Sequence, residues 1–233
     1  MEKVLLNMKA ISKTFGSVQA LKEVSLDLYA GEVLALMGEN GAGKSTLMKC
    51  IFGMPVISET GGYGGKIYFD GQEVNFTSPF DALGVGIGMV HQEFSLIPGF
   101  KASENVVLNR ESTLNSFLEG VFGSRIKAID NKEIDERAKG ALSNLGVDIK
   151  SSTVISEMPV AHKQFTEIAR EIERENTKLL VLDEPTAVLT EEEAKVLLET
   201  MKKLSEKGIA ILFITHRLDE ILSVCDKVVV LRD

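Results

Sequence analysis

Three short apolar runs punctuate the chain: Val33-Leu34-Ala35-Leu36-Met37, Leu179-Leu180-Val181-Leu182 and Ala210-Ile211-Leu212-Phe213-Ile214. Runs of this length without polar alternation predict strands covered on both faces. Helical patterns lie between them. Over residues 191–207 a helical period places Ala194, Leu197, Leu198, Met201 and Leu204 on one face. Thr190 with Glu193 three residues on forms a capping box at its start, and Gly208 supplies a stop. Strands alternating with helices predict an α/β fold with a mainly parallel core sheet.

Elsewhere the period changes. Residues 4–10, 24–28 and 66–69 alternate apolar with polar, which predicts a small antiparallel β layer. Residues 100–172 carry helical patterns without a buried-strand run, so a helical insertion divides the core into 1–99 and 173–233. The glycines of Gly61-Gly62-Tyr63-Gly64-Gly65 read as a flexible turn. Gly84-Val85-Gly86-Ile87-Gly88-Met89 approaches a dinucleotide fingerprint, but Met89 stands at the third glycine position, so it reads as a loop entering a strand. The last strand, Lys227-Val228-Val229-Val230-Leu231, stops with no closing element, as expected for part of a longer polypeptide.

Composition narrows the class. The chain has 233 residues, 44% of them hydrophobic, with 26 Lys+Arg against 34 Asp+Glu and a formal charge of −8. This is the profile of a globular protein and excludes disorder, collagen and coiled coil. No apolar run reaches the roughly 18–20 residues that span a bilayer, and no signal-peptide core opens the chain. Cys50 and Cys225 read as thiols in a reducing compartment. The acidic balance argues against nucleic acid as the main partner, because phosphate backbones demand clustered Lys and Arg.

One motif carries chemistry. Gly38-Glu39-Asn40-Gly41-Ala42-Gly43-Lys44-Ser45 fits G-x-x-x-x-G-K-[ST], with a buried strand running into it and a helical run from Thr46 leading out. Glycines let consecutive backbone N–H groups surround a phosphate, and the helix start adds its dipole. Lys44 places a point charge on the β- and γ-phosphates, and the Ser45 hydroxyl can ligate Mg²⁺. Residues Gly38 to Thr46 are therefore the expected nucleotide cradle. Far downstream, the run ending at Leu182 terminates in Asp183-Glu184. Asp183 is suited to the Mg²⁺ shell and Glu184 to polarising the water that attacks the γ-phosphate. A guanine reader N-K-x-D is missing: Asn131-Lys132-Glu133-Ile134 has Ile134 where Asp is needed. ATP, not GTP, is the expected nucleotide.

With these motifs in order, the whole chain resembles the ATP-binding-cassette (ABC) ATPases, a P-loop NTPase class. The resemblance implies that residues 1–233 form one such ATPase domain. It assigns Phe15 to stacking on adenine, Gln92 to touching Mg²⁺ and the attacking water, and His216 to contacting the γ-phosphate. Glu184, His216, Gln92 and Lys44 become the expected catalytic group, and Ser45, Gln92 and Asp183 the expected metal ligands. His91 has no such slot and reads as structural.

The signature segment departs from the family pattern L-S-G-G-Q. Here Met158-Pro159-Val160-Ala161-His162 precedes the matching helix, which carries Glu167-Ile168-Ala169. Pro159 has neither hydroxyl nor N–H, and Ala161 adds a methyl at a glycine position. Losing a charge-assisted donor costs about 1.5–3 kcal/mol. His162 reads as a surface residue or as a stand-in for the glutamine. Ala187-Val188-Leu189-Thr190, together with Val90-His91-Gln92-Glu93 and Glu184-Pro185-Thr186-Ala187, resembles the monosaccharide-importer branch, in which two cassettes are fused.

The resemblance implies an N-terminal cassette paired with a second cassette in the same polypeptide, giving one competent composite ATP site. It implies an integral membrane permease docking near Phe94-Ser95-Leu96-Ile97-Pro98-Gly99-Phe100, an indirect solute-binding protein, and a place on the cytoplasmic face of the membrane. A nucleoside importer and a non-transport ABC ATPase are the alternatives. No basic arm of the kind ribosome-acting members carry is present, and no long heptad run of the DNA-repair kind.

Overall fold

The computed structural model describes residues 3–114, 128–174 and 176–232. In chain order the elements are β1 (Val4–Phe15), β2 (Val18–Tyr29), β3 (Val33–Gly38), α1 (Lys44–Ile51), α2 (Pro55–Glu59), β4 (Gly64–Phe69), β5 (Gln72–Val74), α3 (Pro79–Val85) and β6 (Ile87–Val90). Then follow α4 (Ala102–Val106), β7 (Thr113–Leu114), β8 (Ala128–Ile129), α5 (Asn131–Asn144), a single 3-10 turn at Ile155–Glu157, and α6 (Val160–Ile172). The chain continues with β9 (Leu179–Asp183), α7 (Glu191–Glu206), β10 (Ala210–Ile214), α8 (Leu218–Val224) and β11 (Lys227–Leu231). Two compact units result: one from residues 1–92 with 176–233, the other from residues 93–175.

In the first unit, five parallel strands lie in the order β11-β3-β10-β9-β6. The three apolar runs form its adjacent members β3, β10 and β9, and their side chains are almost entirely buried. A strand buried on both faces has no polar face to alternate with, which is why the runs are continuous. α7 packs over β3 and β10 through Ala194, Leu197, Met201 and Leu204, while Leu198 is only half-buried. The Thr190–Glu193 capping box forms as expected, and Gly208 follows the helix at φ +92°.

The antiparallel layer, in the order β2-β1-β4-β5, shares a core with β3, α1 and β10. β1 and β2 run to 12 residues each, longer than their alternation indicates. The register shifts between Met8 and Ile11, and Ala10 and Glu23 take left-handed φ values of 51° and 50°. Such bulges break the period of two and hide the second half of each strand. Gly64 and Gly65 already belong to β4, so the turn is confined to Gly61 and Gly62.

In the second unit α4, α5 and α6 pack on one another. A two-residue ribbon, β7 with β8, pairs Thr113 with Ile129 where only helix was expected. Part of that helical expectation, residues 115–127, falls outside the described residues. Glu173, with 8% of its side chain exposed, is gripped by Arg110 and by Arg137, whose Nη2 approaches to 2.6 Å. Buried Asn105 accepts from the Ile97 amide at 2.7 Å and donates back to its carbonyl at 3.2 Å. Among the described residues no helix is long and apolar enough to cross a membrane.

Candidate functional site

The carboxyl ends of the parallel strands gather the candidate residues, as open α/β sheets do. β3 ends at Gly38, and the loop from Glu39 to Gly43 leads into α1. Gly41 and Gly43 hold φ values of +95° and +92°. Only glycine adopts this backbone without strain. Gly43 also packs directly on β2: a Cβ built there would overlap the Ala20 carbonyl oxygen and press on Leu21 Cδ2 at 2.7 Å. Leu47, Met48, Cys50 and Ile51 bury one face of α1 and anchor it behind the loop.

This loop forms one wall of a cavity of about 380 Å³ lined by Asn40, Gly41, Gly43, Lys44, Ser45, Thr46, Gln92, Asp183, Glu184 and Ile214. Four elements separate in sequence thus supply one chamber: the loop after β3, the residues after β6, and the tips of β9 and β10. Lys44 Nζ donates to the Gly38 and Glu39 carbonyls at 2.7 and 2.9 Å, so the ammonium is held over the loop. Asp183 is half-buried. Burial, then the adjacent Glu184 charge, push its carboxyl above the ordinary carboxylate value. Glu184 sits at φ 46°, a left-handed conformation for a residue with a side chain, and its amide donates to the Ile214 carbonyl at 3.1 Å. Non-glycine residues in that region are strained and are retained where the surroundings dictate them.

His216 is exposed and lines a neighbouring cleft of about 540 Å³ with Met37, Gly38, Glu39, Ala42, Val230, Leu231 and Arg232. Its Nδ1 lies 3.6 Å from Glu184 Oε1, so the histidine borders both chambers. The turn that carries it is fixed by groups the sequence did not single out. Buried Thr215 donates from Oγ1 to Glu220 Oε2 at 2.6 Å and accepts from the Arg217 amide at 3.1 Å. Arg217 Nη1 pairs with Glu220 Oε1 at 3.0 Å. His91 packs edge-on against Phe52, ring centroids 6.2 Å apart.

Phe15 is not among the residues lining the phosphate chamber. It ends β1, half-buried against the shared core, at the hairpin whose second strand carries Ala20 and Leu21 against Gly43. Lys13, also overlooked in the sequence, lies under it, with Nζ 4.9 Å from the ring centroid. The available signal was alternation, since Ile11, Lys13 and Phe15 share the inward face of β1.

In the second unit, Pro159 occupies the N-cap of α6 without a side-chain cap hydrogen bond, and Ala161 is buried. Glu167, fully buried on the same helix, accepts from the amide and hydroxyl of Ser95 at 2.5 and 3.0 Å. Of the loop at residues 94–100, Phe94 and Phe100 are exposed and Leu96 is buried.

A glycine loop between a buried strand and a helix, faced by two carboxylates from the tip of β9 on the far side of β10, defines a P-loop nucleotide-binding fold. The family model described as ABC transporter matches residues 21–187, and the chain belongs to that family. Its fold matches a nucleotide-free ATP-binding cassette of an ABC transporter at TM-score 0.81 and 27% identity, covering 99% of this chain and 88% of that one. A dimeric cassette in a post-hydrolysis state bound to ADP and Pi matches at TM-score 0.74 and 25% identity, covering 98% and 94%. Among curated relatives, the ribose import ATP-binding protein RbsA of Caldanaerobacter subterraneus subsp. tengcongensis is 43% identical over 231 residues. The galactose/methyl galactoside import ATP-binding protein MglA of Treponema denticola is 39% identical over 233 residues. The alignments cover 98% and 100% of this chain but only 43% and 44% of those relatives.

Proposed function

We propose that this chain is the ATP-hydrolysing, energy-coupling cassette of an ABC importer for a monosaccharide. The observation that carries the reading is the convergence of Lys44, Ser45, Gln92, Asp183 and Glu184 on one chamber. The loop amides and Lys44 bind the phosphates, and Lys44 exchanges the Gly38 and Glu39 carbonyls for phosphate oxygens. Phe15 takes the adenine. Glu184 accepts a proton from the water whose oxygen attacks the γ-phosphorus as the bond to the β-phosphate oxygen breaks, releasing ADP and phosphate. His216 orients Glu184 and the γ-phosphate.

The donor set fits Mg²⁺. Ser45 and Gln92 offer neutral oxygens and Asp183 a hard carboxylate, whose charge is disfavoured first by burial and then by Glu184 and would be stabilised by a cation. Among the described residues no cluster of three or more His, Cys, Asp or Glu stands ready to cage a metal. When bound, Mg²⁺ neutralises charge on the β- and γ-phosphates.

The sugar assignment rests on the relatives' names, ribose and galactose/methyl galactoside import. The second cassette is assigned to the same polypeptide, supported by relatives more than twice as long as the stretch they share with this chain. Pro159 has no hydroxyl or N–H to offer a partner's γ-phosphate and Ala161 adds a methyl at the glycine position, so the competent composite site is assigned to the one containing Lys44. The permease is assigned to the loop of Phe94 and Phe100. Ser95, bonded to Glu167, and Ile97, bonded to Asn105, hold that loop with both aromatics outward. This arrangement sits at the cytoplasmic membrane face, with the solute-binding protein reached only through the permease.

Reconstituting this cassette with its C-terminal counterpart tests the reading. Lys44→Ala is expected to abolish ATP-driven turnover. Full activity in that variant would overturn the assignment.

A further inference from the structure

Lys13 is 2% exposed, and all three ammonium protons are spent on backbone carbonyls: Ile57 at 3.1 Å, Thr60 at 3.0 Å and Gly62 at 2.5 Å. Among the described residues no carboxylate pairs with it. The nearby Cys50 thiol, pushed up to about 12 by burial, stays neutral and supplies no counter-charge. A buried cation without an anion is costly, and a methionine would fill the same space without that cost. An electron-rich group also faces it: the Phe15 ring, whose centroid lies 4.9 Å from Nζ. Lys13 and Phe15 point to the same side of β1, and the three carbonyls hold the ammonium against the inner face of the ring.

We propose that Lys13 is a positioning residue for the nucleotide base: the caged ammonium fixes the Phe15 ring and presents its outer face to adenine. The inference rests on the reading of Phe15 as the base platform. Two effects follow from a cation on one face of an aromatic ring. The ring is immobilised before the ligand arrives, which removes an ordering cost from binding. Its electrons are also drawn toward the cation, which leaves the opposite face a better partner for an electron-rich purine. The phosphates, held by Gly38 to Thr46, do not depend on either effect. Lys13 therefore sets how much the base adds to the affinity of the triphosphate.

The test compares ATP with inorganic tripolyphosphate, both with Mg²⁺, by calorimetric titration of the 233-residue chain. Lys13→Met is expected to weaken ATP about 3- to 30-fold while tripolyphosphate binding stays within about twofold. Equal loss of both ligands would make Lys13 a merely structural residue and overturn the inference. Phe15→Ala separates the two readings. If it preserves the ATP-to-tripolyphosphate ratio, Phe15 is not the platform. If it collapses the ratio and Lys13→Met does not, the role of Lys13 alone falls. A second measurement reads the unmutated chain and uses a variant only to assign the signal. The ¹⁵Nζ resonance of Lys13, assigned by its disappearance in Lys13→Arg, is expected to shift on adding ATP and not tripolyphosphate. An unmoved resonance would overturn the inference.

Discussion

Nδ1 of His216 stands 3.6 Å from Oε1 of Glu184, joining the tips of β10 and β9 across the mouth of the phosphate chamber. Glu184 is held there by a strained backbone, and His216 by the buried Thr215–Glu220 hydrogen bond. Two side chains acting on one proton transfer do not contribute independently. Glu184→Gln is expected to lower ATP turnover by about 10²–10⁴-fold with nucleotide binding retained. His216→Ala lowers it as well, and the double variant falls no further than the worse single. Steady-state turnover of the four proteins, each reconstituted with the proposed partner cassette, measures this; additive losses would mean that the two residues act separately.

The two loop glycines separate backbone strain from steric overlap. Gly41 at φ +95° has open space around a built Cβ, whereas a Cβ on Gly43 at φ +92° meets Ala20 and Leu21 of β2. Gly41→Ala is expected to cost about 1–2 kcal/mol, the penalty of a left-handed alanine. Gly43→Ala must also push the loop off β2, so it costs more and weakens ATP binding at least about tenfold. Urea unfolding and nucleotide titration of both variants check the order. Equal effects would show that the contact with β2 does not shape the cradle.

Much of this architecture was legible because the driving forces are local in sequence. The buried strands announced themselves as unbroken apolar runs, and the cradle as glycines before Lys44 and Ser45. The long hairpin of β1 and β2 was legible only up to its bulges, because a left-handed residue at Ala10 or Glu23 resets which face each side chain takes. Lys13 escaped notice because a lysine reads as solvent-exposed until three carbonyls from another segment enclose it. The Thr215–Glu220–Arg217 network escaped for the same reason. Its partners are close in sequence, but their burial depends on how α8 packs, which no period of residues reports.

Glu167 gives the second unit a pH dependence of definite sign. Burial raises its carboxyl above the ordinary value, the Ser95 hydrogen bonds opposing, and Oε2 has no hydrogen-bond partner among the described residues. The folded state therefore holds the proton more tightly than the unfolded chain. The stability this supplies is fully present below the ordinary glutamate value and is lost as pH rises through the raised one. Glu167→Gln keeps the neutral shape without the titration. The stability of the variant relative to the unmutated chain is expected to rise between pH 4 and neutrality (both about, on the ordinary carboxylate scale), as read from urea midpoints. A difference that is flat or falls with pH would refute the burial argument.

The same unit tests how much a buried ionic lock contributes. Glu173 receives Arg110 and Arg137 together, and Arg137 also donates to the Arg110 carbonyl and the Ser112 hydroxyl at 2.9 Å each. Removing only the carboxylate leaves two guanidinium groups facing one another, half-desolvated. Breaking such a pair typically costs about 3–5 kcal/mol, whereas replacing the whole group with packed apolar side chains is often neutral. Glu173→Ala is therefore expected to destabilise residues 93–175 by about that amount. The triple variant Arg110→Met/Arg137→Met/Glu173→Met recovers most of the loss. Hydrogen exchange localises the effect to α4, α5 and α6, and urea unfolding gives its size. A triple variant no more stable than Glu173→Ala would mean that the arginine bonds to backbone and Ser112, rather than the charge pairing, hold these helices together.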